Sequence, residues 1–191
     1  MKGVVFTEFL EMVEDRFGLN VVDHIIEQSD LPSGGAYTAV GTYDHDELLR
    51  LIGSLSEELD APVPDLVHAF AHHLFNSFVS AYPFVLAGMN SSVELLENVE
   101  GFIHVEVRKL YPDAELPRID FRKLDEDGWE LTYHSTRPFA DLCQGLIDAC
   151  SKHFADDLRL EREDLEVVNG FSSRFVLNGI SGAVACTNTT S

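Results

Sequence analysis

Apolar residues along the first hundred positions recur every third or fourth residue, the period of helices packed by one face. Phe6, Phe9, Leu10, Val13 and Phe17 follow it until Gly18 stops the run. A second short helix covers about residues 20–28. The stretch "LPSGGAYTAVGTYD" is a loop by its Gly and Pro content, and Asp44 with Glu47 forms a capping box for a helix through Leu59. "PVPDLVHAFAHHLFNSFVSAY" opens on prolines suited to a first turn and sets Leu66, Phe70, Leu74 and Phe78 along one side. Ser91 and Glu94 start another helix by the same box, running through Leu95, Val99, Ile103 and Val107 towards Leu110. After "YPDAELP" the period becomes two: "IDFRKL" and "WELTYHS" flank "DEDG", a hairpin signal. Pro138 opens a helix to about Phe154, and a second hairpin joins "LEVV" to "RFVL" around Asn169 and Gly170. The pattern predicts an α+β chain, a helical N-terminal half beside a small antiparallel sheet made of two hairpins. Residues 1–181 read as one domain and 182–191 as a polar C-terminal tail, with no internal repeat.

Composition narrows the choices. The chain has 191 residues, 45% of them hydrophobic, enough for a substantial core. Thirty-three acids against thirteen bases give a formal charge of -20, which repels nucleic acid and anionic membrane surfaces and favours a basic patch on a protein partner. The opening "MKGVVFTEFLEMVEDRFG" carries acids among its apolar positions and has no small-residue cleavage site, so it reads as neither signal peptide nor membrane span, and the expected location is the cytoplasm. Cys143 and Cys150 lie seven apart on one helix, a rise of roughly 10 Å and too far for a disulfide. Cys186 sits in the polar tail, and three cysteines without CxxC spacing point to buried structural thiols rather than a disulfide framework or a zinc knuckle.

Three stretches could carry chemistry. In "YHSTR" a proline follows Arg137, which favours extended backbone, so Tyr133, Ser135 and Arg137 share one face over roughly 13 Å. That span suits an anion with two separated negative groups, or else it is the polar outer face of an antiparallel strand. His104, in "VEGFIHVEV", stands among apolar neighbours with Gly101 one turn back, where bare backbone leaves room for a bulky flat object; the alternative is a core histidine satisfied by a carbonyl. His68 and His72 have the i, i+4 spacing of two metal ligands, with His73 beside them. Asp65 is their only nearby carboxylate in sequence, so a solvent-facing cluster is the expected arrangement. No Ser-His-Asp order, GxSxG or phosphate loop is present.

Taken in order, "MKGVVF", "MVEDRFG", "IHVEVRKLYP", "LP", the YxSxR stretch and "GLIDACSKHF" resemble the haem nitric oxide/oxygen binding family, H-NOX, related to the haem domain of soluble guanylate cyclase, over nearly the whole chain. The resemblance implies haem b, iron protoporphyrin IX, buried between the helical half and the sheet. It implies His104 as the proximal iron ligand, and Tyr133, Ser135 and Arg137 as the clamp on the haem propionates. Pro117 matches a proline that packs against the porphyrin and bends it. Oxygen-binding members carry a tyrosine three residues before the glycine of the "GL" pair, which here is Leu142. Phe9 and Leu74 fall where those members place a supporting tryptophan and asparagine, and Val5, Phe78 and Leu146 complete the distal lining. The pocket implied is donor-free unless His72 or His73 reaches it, and the function implied is a sensor of nitric oxide, also binding carbon monoxide, rather than an enzyme.

In the family, gas binding can release the proximal helix, and the implied partner is a histidine kinase or a cyclic dinucleotide enzyme. Some bacterial relatives hold zinc through cysteines and a histidine reaching into the last hairpin; "EREDLEVVNGFSSRFVL" has neither type, so no structural zinc is expected. A haem enzyme of peroxidase type, which needs a distal acid/base residue, and a haem-free interaction module are the competing classes.

Overall fold

The computed structural model describes residues 1–124 and 128–179. Among the described residues, seven α-helices precede or interrupt a four-stranded sheet. In chain order they are α1 (Gly3–Phe17), α2 (Leu19–Gln28), α3 (His45–Leu59), α4 (Val63–Ala81), α5 (Ser92–Glu97) and α6 (His104–Leu110), then β1 (Arg118–Lys123) and β2 (Gly128–Ser135), then α7 (Ala140–Phe154), β3 (Leu158–Leu165) and β4 (Phe171–Gly179). The sheet order is β1-β2-β4-β3, with every neighbouring pair antiparallel. The expected α+β architecture is therefore the observed one. The "DED" of the first hairpin turn and the proposed 182–191 tail, with Cys186, lie outside the described residues.

Two apolar clusters hold the molecule. One gathers Phe6, Phe9, Ile25, Leu51 and Phe70 from α1–α4; the other joins Phe75, Leu95, Ile147, Leu131 and Phe175 from the helices and the sheet. α4 serves both, with Phe70 and Leu74 in the first and Phe75 in the second. Helix α7 does likewise, Leu142 packing on the first and Ile147 within the second. The two helices form the wall between the halves.

The boundaries follow local chemistry, with four departures from the sequence pattern. α1 stops where Gly18 takes φ 87°, a conformation costly for other residues. Asp44 caps α3 through the Asp46 N–H, but Glu47 does not close a box; it turns inward, 4% exposed, and accepts from Ser33 and from Tyr37 Oη at 2.9 Å. A buried carboxylate keeps the partners that satisfy it, and here these come from the loop rather than the cap. The helix expected to run from Ser91 to Leu110 is broken by a π turn at Val99–Ile103, one residue wider than an α turn, which rotates α6 relative to α5.

In the last hairpin the strand is "LRLEREDL", with Leu158, Leu160 and Arg162 half-buried between exposed neighbours. "LEVV" is therefore not the strand expected; Val168 is 97% exposed in the connection. Leu160 opposite Leu177 sets the register, because a one-residue slip of β3 would turn Leu160 to the other face of the sheet. Finally, β2 ends at Ser135, so Arg137 lies beyond the strand. Ser135 Oγ accepts from the Arg137 N–H at 3.1 Å, a serine turn that takes over where the β4 partner runs out at Phe171.

Cys143 and Cys150 on α7 are free, and burial pushes both thiols up to about 12. Since the thiolate is the nucleophile, alkylation of these two in the native protein is expected to run at least about a hundredfold slower than in the unfolded chain. Mass-mapped iodoacetamide labelling checks this, and equal rates would show that the thiols are not shielded.

Candidate functional site

His104 opens α6 immediately after the π turn and is 9% exposed. Its Nδ1 lies 3.1 Å from Glu100 Oε1, one turn earlier, and the same oxygen accepts the Ile119 N–H at 2.7 Å. A carboxylate against Nδ1 assigns the proton there and turns the lone pair to Nε2, which has no hydrogen-bond partner among the described residues. Burial lowers the pKa of His104, outweighing the opposing pull of Glu100, so the ring is held neutral, the form that ligates a metal. A Cβ built on Gly101 meets nothing within 4 Å, so the backbone one turn before the ring borders open space. The core-histidine alternative, a ring satisfied by a carbonyl, is not what is found.

Glu100 is the residue the sequence reading passed over, although an acid four before a buried histidine was legible in "VEGFIH". It ties the helix to the sheet. Ile119, held by Glu100, pairs with Tyr133 across β1 and β2, and Tyr133 Oη donates to the Arg137 carbonyl at 3.1 Å. One carboxylate and one cross-strand pair therefore link His104 to the YxSxR stretch.

That stretch is not the solvated outer face of a strand: Tyr133 is 3% exposed. Its ordinary phenol pKa is raised, by burial first. The Arg137 side chain is only 13% exposed, donates to the Glu115 carbonyl at 3.0 Å and pairs with the Glu115 carboxylate, whose own side chain is 76% exposed. A shielded guanidinium thus holds a carboxylate whose side chain is largely in solvent. Pro117 lies half-buried just before β1, between this pair and Ile119.

On the other side, Phe9 (fully buried) and Leu74 belong to one apolar cluster, against which Val5, Phe78 and Leu142 pack. Phe9 meets Phe70 edge-on at 5.2 Å. Leu146 packs on the second cluster instead. His72 Nε2 is taken up by Asp148 at 2.8 Å, whereas His73 Nε2 lies 3.2 Å from Glu8 Oε2 on α1 without a hydrogen bond between these two buried atoms. The expectation that Asp65 was the nearby carboxylate is overturned, because α7 brings Asp148 across to His68 and His72. Packing between helices, invisible in local spacing, makes that cluster.

The donor set fits haem: a neutral imidazole with a free Nε2, open space beside it at Gly101, and a shielded guanidinium with an exchangeable carboxylate. The family model for haem-NO-binding domains matches residues 2–162. No curated protein matches the chain. Among solved structures, the Fe(II) unliganded H-NOX protein from K. algicida is 40% identical with a TM-score of 0.85, covering 94% of this chain and 96% of that one. The IWP-051-bound H-NOX from Shewanella woodyi in the Fe(II)CO state is 37% identical, TM-score 0.81, over the full length of both. An H-NOX protein from S. oneidensis in the Fe(II)NO state is 25% identical, TM-score 0.84, covering 94% and 99%.

Proposed function

The chain belongs to the haem-NO-binding (H-NOX) family of haem-based gas-sensor domains, and from that premise we propose that it binds nitric oxide at ferrous haem and reports the event to a separate effector protein. His104 is the residue assigned to the iron, through Nε2, with Glu100 fixing the tautomer. Tyr133, Ser135 and Arg137 would hold the propionates, Arg137 giving up its Glu115 partner, and Pro117 would border the ring. The haem supplies an iron centre that takes diatomic gases, carbon monoxide as well as nitric oxide.

What the chain supplies is selectivity, and one observation carries the reading: Phe9 and Leu74, with Leu142 packed on the cluster they belong to, stand at the three positions where a hydrogen-bonded donor set would be. Bound oxygen draws negative charge and gains most from such a donor, whereas nitric oxide needs it little. The electronic spectrum of reduced protein tests it. The Soret band is expected to shift on nitric oxide and to show no persistent oxy form in air; a lasting oxy spectrum would overturn the selectivity.

Arg137→Ala leaves the propionates without their charged partner. A charge-assisted bond contributes about 1.5–3 kcal/mol, so haem transfer to an acceptor globin is expected to become roughly 10- to 150-fold more favourable. Unchanged transfer would remove Arg137 from the clamp.

The output runs through α6 and Pro117, with Glu100 coupling α6 to β1, the strand that Pro117 precedes. A histidine kinase or a cyclic dinucleotide enzyme is the partner this reading favours, met in the cytoplasm by a basic face that suits a chain of charge -20. Among the described residues no helix is long and apolar enough to cross a membrane. Partner binding is expected to weaken as salt rises, and indifference to ionic strength would count against the electrostatic part.

A further inference from the structure

Helices α4 and α7 approach closely at Gly145, where an added Cβ would stand 2.5 Å from the Ala71 Cβ and 3.4 Å from the His68 Cα. That closeness sets Asp148, one turn further along α7, against two histidines one turn apart on α4. His68 Nε2 and His72 Nε2 lie 2.9 and 2.8 Å from the same oxygen, Asp148 Oδ2. The three donor atoms all fall within 4.8 Å of one another, and the side chains remain partly open to solvent. None of the three belongs to either apolar cluster or bonds to His104.

We propose that His68, His72 and Asp148 form a second metal site, separate from the haem, for a first-row divalent cation of the zinc type. Two imidazole nitrogens and one carboxylate oxygen are borderline ligands that suit zinc and its neighbours and not magnesium or calcium. Ligand bonds of about 2.0–2.2 Å at tetrahedral angles put donors roughly 3.3 Å apart, so the cluster opens by about half an ångström to admit the ion. Partial exposure leaves the fourth position to water. The ion would brace α4 to α7, the helices that carry Leu74, Phe78 and Leu142.

One group competes for the carboxylate. Lys152 Nζ also lies 2.9 Å from Asp148 Oδ2, on a side chain 64% exposed and able to swing away. The site therefore predicts opposite signs for neighbouring substitutions, which a merely structural hydrogen-bond cluster does not.

Tag-free, haem-loaded protein is titrated with zinc chloride by calorimetry, with metal analysis after equilibrium dialysis. One zinc per chain is expected beyond the haem iron. His72→Ala and Asp148→Asn should each weaken it by more than the roughly 10- to 100-fold that loss of an outer-shell partner costs a metal site. Lys152→Ala should tighten it, and the Soret band should stay unchanged in all three. If His72→Ala does not fold, His68→Gln at the more exposed position takes its place. Absence of saturable zinc overturns the proposal. So does zinc binding that survives both ligand substitutions, which would move the ion elsewhere, for instance to Asp44, His45 and Asp46.

Discussion

His104→Gly protein is expected to emerge with its Soret band lost or sharply weakened, and free imidazole is expected to restore it. The buried ring leaves a hole of its own shape, bounded by Glu100 and by the open backbone at Gly101. Free imidazole entering that hole finds the Glu100 carboxylate still held by the Ile119 N–H and turned to accept its proton. Glycine at the start of α6 costs about 1 kcal/mol of helix stability, small against the stability of a domain, so the apolar clusters should survive. Far-ultraviolet dichroism matching the wild type, with the thiols of Cys143 and Cys150 still shielded, would confirm that the fold remains. An undiminished Soret band in the absence of imidazole would remove His104 from the iron and the whole assignment with it.

Leu142→Tyr is expected to give the reduced protein an oxy spectrum in air that the wild type lacks. Leu142 packs on the cluster containing Phe9 and Leu74, so a tyrosine there carries its hydroxyl to the apolar side of the site. A hydrogen bond to a charged acceptor contributes about 1.5–3 kcal/mol, which is roughly 10- to 150-fold in oxygen retention. The larger ring also overpacks the cluster at a cost of about 1–3 kcal/mol, so a lower melting temperature should accompany the gain. Adding Leu74→Asn supplies a partner for the hydroxyl and should lengthen the life of the oxy form. Oxygen affinity unchanged in both variants would show that selectivity is set elsewhere than by donors at these positions.

Much of the fold was legible because its signals are local. Gly18 ends α1 through its own backbone freedom, and the apolar faces of α1, α3 and α4 recur at the helical period. The strands were harder. "LEVV" reads as a strand by composition, yet Val167 and Val168 turn outward, because pairing is settled by the partner strand and not by the run itself. Glu47 makes the same point at a cap: the residue and spacing of a box were present, but Ser33 and Tyr37 claimed the carboxylate.

The site divides along the same line. Sequence by itself determined which residue types stand at which positions: the imidazole at His104, the hydroxyls and guanidinium of Tyr133, Ser135 and Arg137, and the apolar side chains of Phe9, Leu74 and Leu142, all set by single positions and short spacings. Only the tertiary structure decided what those groups meet. It set the π turn that aims His104, the Glu100 bridge to Ile119 and so to Tyr133, the pairing of Arg137 with Glu115, and the arrival of Asp148 between His68 and His72. Each of these except the turn joins residues at least fourteen positions apart, and the period of a helix or strand carries no information about which element will pack across from it.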